Sequence, residues 1–239
     1  MELFYKENLV KKDESIIFDA EESRHLSKVL RKKVGEMISV TNGKGLEWHG
    51  QIVSADVRKA AAKKTDVILH QNQLIPLHIA IAPTKSNDRL EWFLEKSTEI
   101  GVSQITPLIC EHSERKVIKP ERLNKILIGG IKQSAQFFLP ELNPIISFEE
   151  FMKLEHPQTK LIAHCQKGDQ KALHKTENLN REILIMIGPE GDFSDREITI
   201  AHLLNFGAIT LGEQTFRTET AGIVACSRVA TLREISKVE

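Results

Sequence analysis

Residues 183–191, Ile-Leu-Ile-Met-Ile-Gly-Pro-Glu-Gly, decide the fold of this 239-residue chain. The five apolar residues Ile183–Ile187 are typical of a strand that is buried on both faces of a sheet. Gly188-Pro189-Glu190-Gly191 then predicts a tight turn, in which proline supplies a preset φ. Ser194 follows as a predicted N-cap, with Glu197 three residues later in the pattern of a capping box. The stretch therefore predicts a strand, a glycine turn and a helix, the repeating unit of parallel α/β sheets.

The same alternation continues on both sides of this unit. Apolar runs predict further strands at 77–82, 105–109, 161–164 and 208–211. Asn87 is the predicted cap of a helix with one apolar face that ends at Gly101, and a second helix begins at Pro120. Strands that alternate with helices imply a parallel sheet covered by helices. Residues 73–239 are therefore predicted to form one α/β domain.

Residues 1–72 do not alternate between strands and helices, and their short strands and turns predict a small β-barrel with one helix. Strand-like runs at 16–18, 37–40, 50–53 and 65–69 alternate with turns, of which Asn42-Gly43-Lys44-Gly45 is the clearest. The helix is predicted over Glu21–Lys33. Polar residues in the stretch 71–76 are typical of a linker to the second domain.

A second glycine turn follows the predicted strand 208–211. Gly212 begins this turn, and Thr218 or Thr220 is the predicted cap of the last helix. The carboxylate of Glu219 would interact favourably with the positive N-terminal end of that helix. Because ligands of open α/β sheets bind outside the carboxyl ends of the strands, the two glycine turns are predicted to line one pocket. Neither turn matches G-x-G-x-x-G or the phosphate loop, so no dinucleotide or nucleoside triphosphate site is indicated. Arg217, just before the helix, has a purely structural alternative in a salt bridge to Glu219 or Glu213.

The charge is balanced overall but not locally. The chain has 33 basic and 33 acidic side chains, which by itself argues mildly against a nucleic-acid binder. Residues 24–33, however, hold five lysines and arginines together with His25 and no acid. Such a cluster is suited to RNA phosphates, with a solvated face as the alternative.

Cysteine and hydropathy patterns exclude several classes. Cys110, Cys165 and Cys226 are far apart and without C-x-x-C spacing, which disfavours a disulfide framework or a zinc site, and we expect no metal. No apolar run reaches the roughly 18 residues of a membrane span. The N-terminus lacks the apolar stretch of a signal peptide, so a cytoplasmic protein is expected.

The motifs taken together resemble a known family. Ile187-Gly188-Pro189-Glu190-Gly191, Leu211-Gly212 and Phe216-Arg217-Thr218-Glu219-Thr220-Ala221 resemble the SPOUT methyltransferases, and within them the 16S rRNA (uracil-N3)-methyltransferases of the RsmE type. His25-Leu26-Ser27-Lys28-Val29-Leu30-Arg31 and the 42–45 turn are similar to that family's N-terminal RNA-binding barrel. The likeness covers nearly the whole chain, and its combination of motifs at this spacing is specific.

The resemblance implies a fold, a cofactor and partners that composition does not give. Residues 1–72 would be a PUA-like RNA-binding β-barrel, and residues 73–239 a SPOUT methyltransferase domain with a trefoil knot that binds S-adenosylmethionine (AdoMet). The chain would be a homodimer that acts on 16S rRNA of the small ribosomal subunit. The implied cofactor-binding residues are Ile187, Gly188, Pro189, Glu190, Gly191, Leu211, Gly212, Phe216, Arg217, Thr218, Thr220 and Ala221. The implied RNA-binding residues are Arg24, His25, Lys28, Arg31 and Lys32.

The implied reaction assigns two catalytic residues. N3 of uracil carries a weakly acidic proton and is a poor nucleophile until that proton is removed. Arg217 would stabilise the developing uracil anion at a carbonyl oxygen. Glu219 would either orient Arg217 or act as a base, and its place at a helix start favours the orienting role. No metal is needed for this chemistry.

Departures from the family pattern keep other functions open. Asp192 stands where a second glycine is common, Gln214 where arginine is common, with Glu213 in the usual place of proline, and Ala135-Gln136 replaces a frequent Gly-Arg. One alternative is a non-catalytic RNA-binding or ribosome-assembly protein. Others are a SPOUT methyltransferase acting on another RNA or on a ribose 2′-hydroxyl, and a nucleotide-dependent α/β enzyme, which the absent phosphate-loop lysine disfavours.

Overall fold

The computed structural model describes residues 2–72, 75–166, 168 and 170–236. The described residues up to Asn72 form one compact unit together with Ile128–Leu139, and the remaining described residues form a second unit. The strands of the described part are β1 (Leu3–Tyr5), β2 (Ser15–Ile17), β3 (Met37–Thr41), β4 (Leu46–Ser54), β5 (Ala61–Leu69), β6 (Leu77–Ile81), β7 (Gln104–Ile109), β8 (Glu141–Leu142), β9 (Ile146–Ser147), β10 (Thr159–Ala163), β11 (Lys171–Ala172), β12 (Ile183–Ile187) and β13 (Gly207–Thr210). Its helices are α1 (Ala20–Arg24), α2 (Asn87–Ile100), α3 (Pro120–Ser134), α4 (Phe148–Phe151), α5 (Asp195–Leu203) and α6 (Thr218–Ile235), with a π-helical turn at His25–Val29 and a 3₁₀ turn at Leu173–Lys175. None of these helices is both long and apolar enough to cross a membrane.

The first unit is built on a five-stranded sheet in the order β1-β3-β4-β5-β2. Only the β1–β3 pair is parallel among its neighbours. Trp48 on β4 is fully buried at the centre of the core, and its indole N–H donates to the Asp13 carbonyl over 2.9 Å. The predicted strands are confirmed, and β1 is an addition whose three residues are too few to show a period.

The helix predicted over Glu21–Lys33 is wrong in its second half. Helix α1 passes into the π-helical turn, and the Leu30 N–H bonds back to the His25 carbonyl. Arg31 has a φ of 53°, in the left-handed region that ends helices. Leu26 is buried in the core at this point, so packing fixes the turn more strongly than helix propensity does.

The segment Ile128–Leu139 belongs to the first unit, which a division of the chain at residue 72 does not anticipate. The Gly45 N–H donates to the Phe137 carbonyl, and the Leu139 N–H to the Gly43 carbonyl, each over 2.8 Å. Gly43 and Gly45 have φ values of 72° and 89°, and a Cβ on Gly43 would stand 2.8 Å from the Leu139 Cβ. Both glycines are therefore required where this segment crosses the predicted 42–45 turn. Of the linker predicted at 71–76, residues 73 and 74 lie outside the described residues.

The second unit is built on a parallel sheet in the order β11-β13-β10-β12-β6-β7-β8, with β9 paired to β7. All five residues of β12 and of β6 are buried, as expected for strands covered on both faces. The registers place Ala163 of β10 beside Ile187 of β12 and Ile209 of β13. The carboxyl ends of these three strands therefore meet at one edge of the sheet, and the predicted α/β architecture is confirmed.

Two helix starts test the capping predictions. Ser194 caps α5, and its side chain and that of Glu197 form both bonds of the predicted capping box. The cap predicted at Asn87 is wrong by one residue, because the backbone is still extended at Ser86, with ψ of 131°, and Asn87 is already helical. The helix end at Gly101 is confirmed by its φ of 98°.

Candidate active site

A cleft of about 280 Å³ lies at the edge of the sheet where β10 and β13 end. Its lining residues are Ala163, His164, Cys165, Gln170, Ile209, Thr210, Leu211, Gly212, Glu213, Gln214, Thr215, Phe216 and Ala221. Gly212 has a φ of 151°, which only glycine adopts readily, and its N–H is held by the Thr210 hydroxyl over 3.2 Å. The chain therefore passes along the cleft as exposed backbone flanked by apolar side chains.

Four of the predicted cofactor residues line this cleft: Leu211, Gly212, Phe216 and Ala221. The turn Gly188–Gly191 is not among the lining residues. A Cβ on Gly188 would stand 3.0 Å from the Phe193 ring. Gly191 instead lines a wider cavity of about 940 Å³ next to His112, whose Nδ1 lies 3.0 Å from the Gly191 carbonyl. The second glycine motif therefore lines the cleft, and the first, Gly188–Gly191, does not.

Thr218 connects the two motifs. Its buried hydroxyl donates to the Gly188 carbonyl over 3.0 Å. The prediction that Thr218 or Thr220 caps α6 is wrong, because Arg217 holds the N-cap position with ψ of 155° and Thr218 is already helical. The hydroxyl of Thr218 is therefore free to bond across to the first motif instead of to its own helix.

Arg217 and Glu219 do not pair with each other. Arg217 is exposed, and within the described residues it has neither an ion pair nor a side-chain hydrogen bond, so the predicted salt bridge to Glu219 or Glu213 is absent there. Glu219 is buried in the first turn of α6, and its Oε1 lies 3.8 Å from the Nε of Arg89 on α2. Its Oε2 is also buried and has no partner among the described residues. A buried oxygen of this kind costs free energy unless another group completes it.

Sequence reasoning missed one wall of the cleft. His164, Cys165 and Gln170 follow β10, and their only signal was the position of that strand next to β12. The Gln170 amide donates to His164 Nδ1 over 2.9 Å, and burial lowers the pKa of the His164 imidazole. Because Nδ1 then accepts, the proton of the neutral ring is on Nε2. That Nε2 is buried without a partner among the described residues.

The three cysteines separate by burial. Cys110 and Cys226 are buried, and burial raises the pKa of the Cys226 thiol to about 12. Cys165 is exposed and lines the cleft. Burial of part of this side chain, and then the nearby Asp192, raise its pKa more moderately.

The predicted RNA-binding residues lie together on the first unit, in and after α1. Arg24, Lys28 and Arg31 are exposed. His25 is half-buried and edge-on to the Phe4 ring, with centroids 6.1 Å apart. Lys32 is held by Glu2 at 3.1 Å and Glu36 at 3.3 Å, and these contacts raise its pKa. Three of the five side chains thus have no ion pair within the part of the chain that the structure describes, whereas Lys32 is paired with two carboxylates.

Comparison with known proteins agrees with this architecture. Residues 70–230 match the family described as "RNA methyltransferase domain", and residues 18–64 match "RNA methyltransferase PUA domain". A ribosomal RNA small subunit methyltransferase E of Synechocystis is 30% identical over 220 residues, covering 88% of this chain and 71% of that protein. A probable rRNA-methyltransferase of Porphyromonas gingivalis superposes with a TM-score of 0.90 at 34% identity over 99% of this chain and 100% of that one. The ribosomal RNA small subunit methyltransferase E of Neisseria gonorrhoeae, solved bound to S-adenosyl methionine, has a TM-score of 0.88 at 29% identity over 97% and 98% of the two chains.

The match over residues 70–230, on a parallel α/β sheet with a cleft at its strand ends and after a PUA domain, shows that the chain belongs to the RNA methyltransferase domain family. The predicted fold class, a SPOUT-type domain after a small PUA-like domain, is confirmed. More narrowly, the chain belongs to the ribosomal RNA small subunit methyltransferase E family.

Proposed function

We propose that this protein transfers a methyl group from AdoMet to N3 of a uridine in the 16S rRNA of the small ribosomal subunit, and that it acts as a homodimer. One observation carries the proposal: the glycine motif Leu211-Gly212 lines a cleft together with Phe216 and Ala221, the two residues that flank 217–220 in the sequence. Relatives in the same family are named for ribosomal RNA methylation, and one is solved with AdoMet.

The cleft residues fit AdoMet. Ile209, Leu211 and Phe216 supply apolar surface for a purine ring, and the backbone around Gly212 is bare enough for close approach. His164 and Gln170 add polar side chains to the lining, as expected for a site that also binds the polar groups of a cofactor. The Thr218 hydroxyl holds the turn after β12 through its bond to the Gly188 carbonyl. We assign Ile187–Gly191 to the cofactor site as the turn that supports this surface. AdoMet, when bound, supplies a methyl group on a sulfonium, which is a good leaving group.

The nucleophile is the group that needs help. We assign to Arg217 the stabilisation of negative charge on a uracil carbonyl oxygen, because it is exposed, directly follows the cleft residue Phe216 and has no partner among the described residues. The free Oε2 of Glu219 is an acceptor placed in the same helical turn. Its other oxygen faces Arg89 and not Arg217. This pairing favours Glu219 as a proton acceptor over the orienting role that its helix-start position had suggested.

We assign RNA binding to the first unit. Arg24, Lys28 and Arg31 are exposed and have no ion pair with any described residue, whereas Lys32 is ion-paired. The triple variant Arg24→Ala, Lys28→Ala, Arg31→Ala is expected to weaken RNA binding and to reduce the slope of log K against log salt by about 2 to 3, since each phosphate contact contributes roughly 0.7–0.9. Filter binding across a salt series measures this slope. Lys32→Ala is the control and should change the slope by less than about 0.5. A change in Lys32→Ala of about one third of that in the triple variant would mean that Lys32 contributes as much as each of the other three residues, and it would contradict the assignment.

Cys165 gives a direct test of the cofactor cleft. It is the exposed cysteine, and Cys110 and Cys226 are buried. We expect iodoacetamide to label Cys165 first, and saturating AdoMet to slow that labelling by about tenfold, because a ligand that fills the cleft covers the thiol. Peptide mass spectrometry with and without AdoMet follows the rate. ATP, which lacks the methionine moiety, is the control ligand, and labelling that AdoMet does not slow would place the cofactor elsewhere.

The reaction itself is tested with small ribosomal subunits from cells lacking this enzyme. Labelled AdoMet, the protein and these subunits are incubated, and the modified nucleoside is identified by mass spectrometry. Formation of 3-methyluridine is the expected result. A different methylated nucleoside would refute the N3 specificity. Absence of both transfer and AdoMet binding by calorimetry would instead support a non-catalytic RNA-binding protein.

A further inference from the structure

Asp192 has an unusual backbone and a fully used carboxylate. Its φ is 62°, in the left-handed region where aspartate is tolerated better than most residues. Its Oδ1 accepts from the Phe193 N–H over 2.8 Å, and its Oδ2 accepts from the Cys165 N–H over 2.7 Å. The second bond joins the turn after β12 to the segment after β10.

That segment is the wall of the cleft formed by His164 and Cys165. The Cys165 N–H therefore donates to a carboxylate, that of Asp192. Hydrogen bonds to charged groups are about twice as strong as neutral ones. A second tie lies one residue further on, where the Gln166 side chain donates to Asp195 Oδ1 over 2.6 Å. Gln166 does not line the cleft but lies in the wider cavity beside Asp195. Of these two bonds, the one to Asp192 acts on a residue of the cleft itself.

We propose that Asp192 is a positioning residue for the cofactor: its carboxylate holds the backbone at Cys165 so that the His164–Cys165 wall keeps the shape that AdoMet requires. The inference rests on the proposed function, since it assumes that AdoMet occupies this cleft. Glycine at this position would adopt the same φ without strain. It would leave the Cys165 N–H without its acceptor, so the aspartate adds a function that the backbone conformation alone does not demand.

The test compares Asp192→Gly with Asp192→Asn. Glycine keeps the left-handed backbone and removes both bonds, whereas asparagine tolerates the same backbone and keeps an acceptor oxygen. We expect Asp192→Gly to raise the Kd for AdoMet by about tenfold or more, the lower end of what one lost hydrogen bond to a charged group costs. Asp192→Asn should stay within about threefold of wild type. In steady-state kinetics the glycine variant should raise KM for AdoMet, while kcat at saturation and KM for the ribosomal subunit stay unchanged.

Two further readouts need no turnover. In the protein without cofactor, hydrogen exchange at the Cys165 amide should accelerate in Asp192→Gly and be largely restored in Asp192→Asn. Asp195→Ala is the matched control, because it removes a neighbouring carboxylate whose bond lies outside the cleft; its Kd should remain within about twofold. If the wild-type chain binds AdoMet and Asp192→Gly binds it with the same Kd, the role of Asp192 is overturned and the proposed function stands. Absence of AdoMet binding by the wild-type chain would overturn the proposed function as well.

Discussion

Arg217→Ala is expected to lower kcat for methyl transfer by about 10²- to 10³-fold while leaving the Kd for AdoMet within about threefold. Arg217 is exposed, directly follows the cleft residue Phe216 and has no ion pair among the described residues. Its loss therefore removes charge stabilisation from the reacting base without disturbing a salt bridge of the resting protein. Single-turnover methyl transfer measures the chemical step, and calorimetry measures cofactor binding.

The control for this variant is Arg196→Ala. Arg196 is an exposed arginine of α5 whose distance to Glu149 is 4.0 Å, the limit of an ion pair, so little should change when it is removed. A loss of AdoMet binding in Arg217→Ala as large as its loss of turnover would assign Arg217 to cofactor binding instead of catalysis. Retained turnover would exclude it from both roles.

Gly222→Ala is expected to lower the free energy of unfolding by about 1–3 kcal/mol, even though alanine is the better helix former. Gly222 lies on α6 where that helix packs against α2. A Cβ there would stand 2.6 Å from Cε2 of the Phe93 ring and 3.1 Å from Ile81 Cδ1, and both side chains are fully buried. Overpacking by these contacts exceeds the roughly 1 kcal/mol gained from helix propensity.

Gly129→Ala provides the matched control for that substitution. Gly129 lies in α3, and a Cβ there meets nothing within 4 Å. This variant should therefore gain about 0.5–1 kcal/mol of stability from helix propensity alone. Urea denaturation of both variants measures the two changes. The same sign in both would show that propensity, and not the contact with Phe93, governs Gly222.

Local patterns predicted the elements that local physics determines. The apolar run Ile183–Ile187 is β12, residue for residue, because a strand buried on both faces has no polar positions to blur its ends. The capping box of Ser194 and Glu197 formed as predicted, since both of its bonds lie within one helical turn. The caps of α2 and α6 were placed one residue or more too far along the chain. Neither of these two helix starts has a side-chain cap, so a search for a capping oxygen could not locate them.

By itself, the sequence determined a parallel α/β domain after a small β-rich domain and the two glycine motifs. Only the tertiary structure decided which of these meet. The sheet order brings His164 and Cys165, which follow β10, to the cleft at the end of β13, and it brings Arg89 of α2 to Glu219. It also assigns Ile128–Leu139 to the first unit. Periodicity and capping act over a few residues, whereas these contacts depend on which strands lie side by side, a choice made by the burial of whole elements against one another.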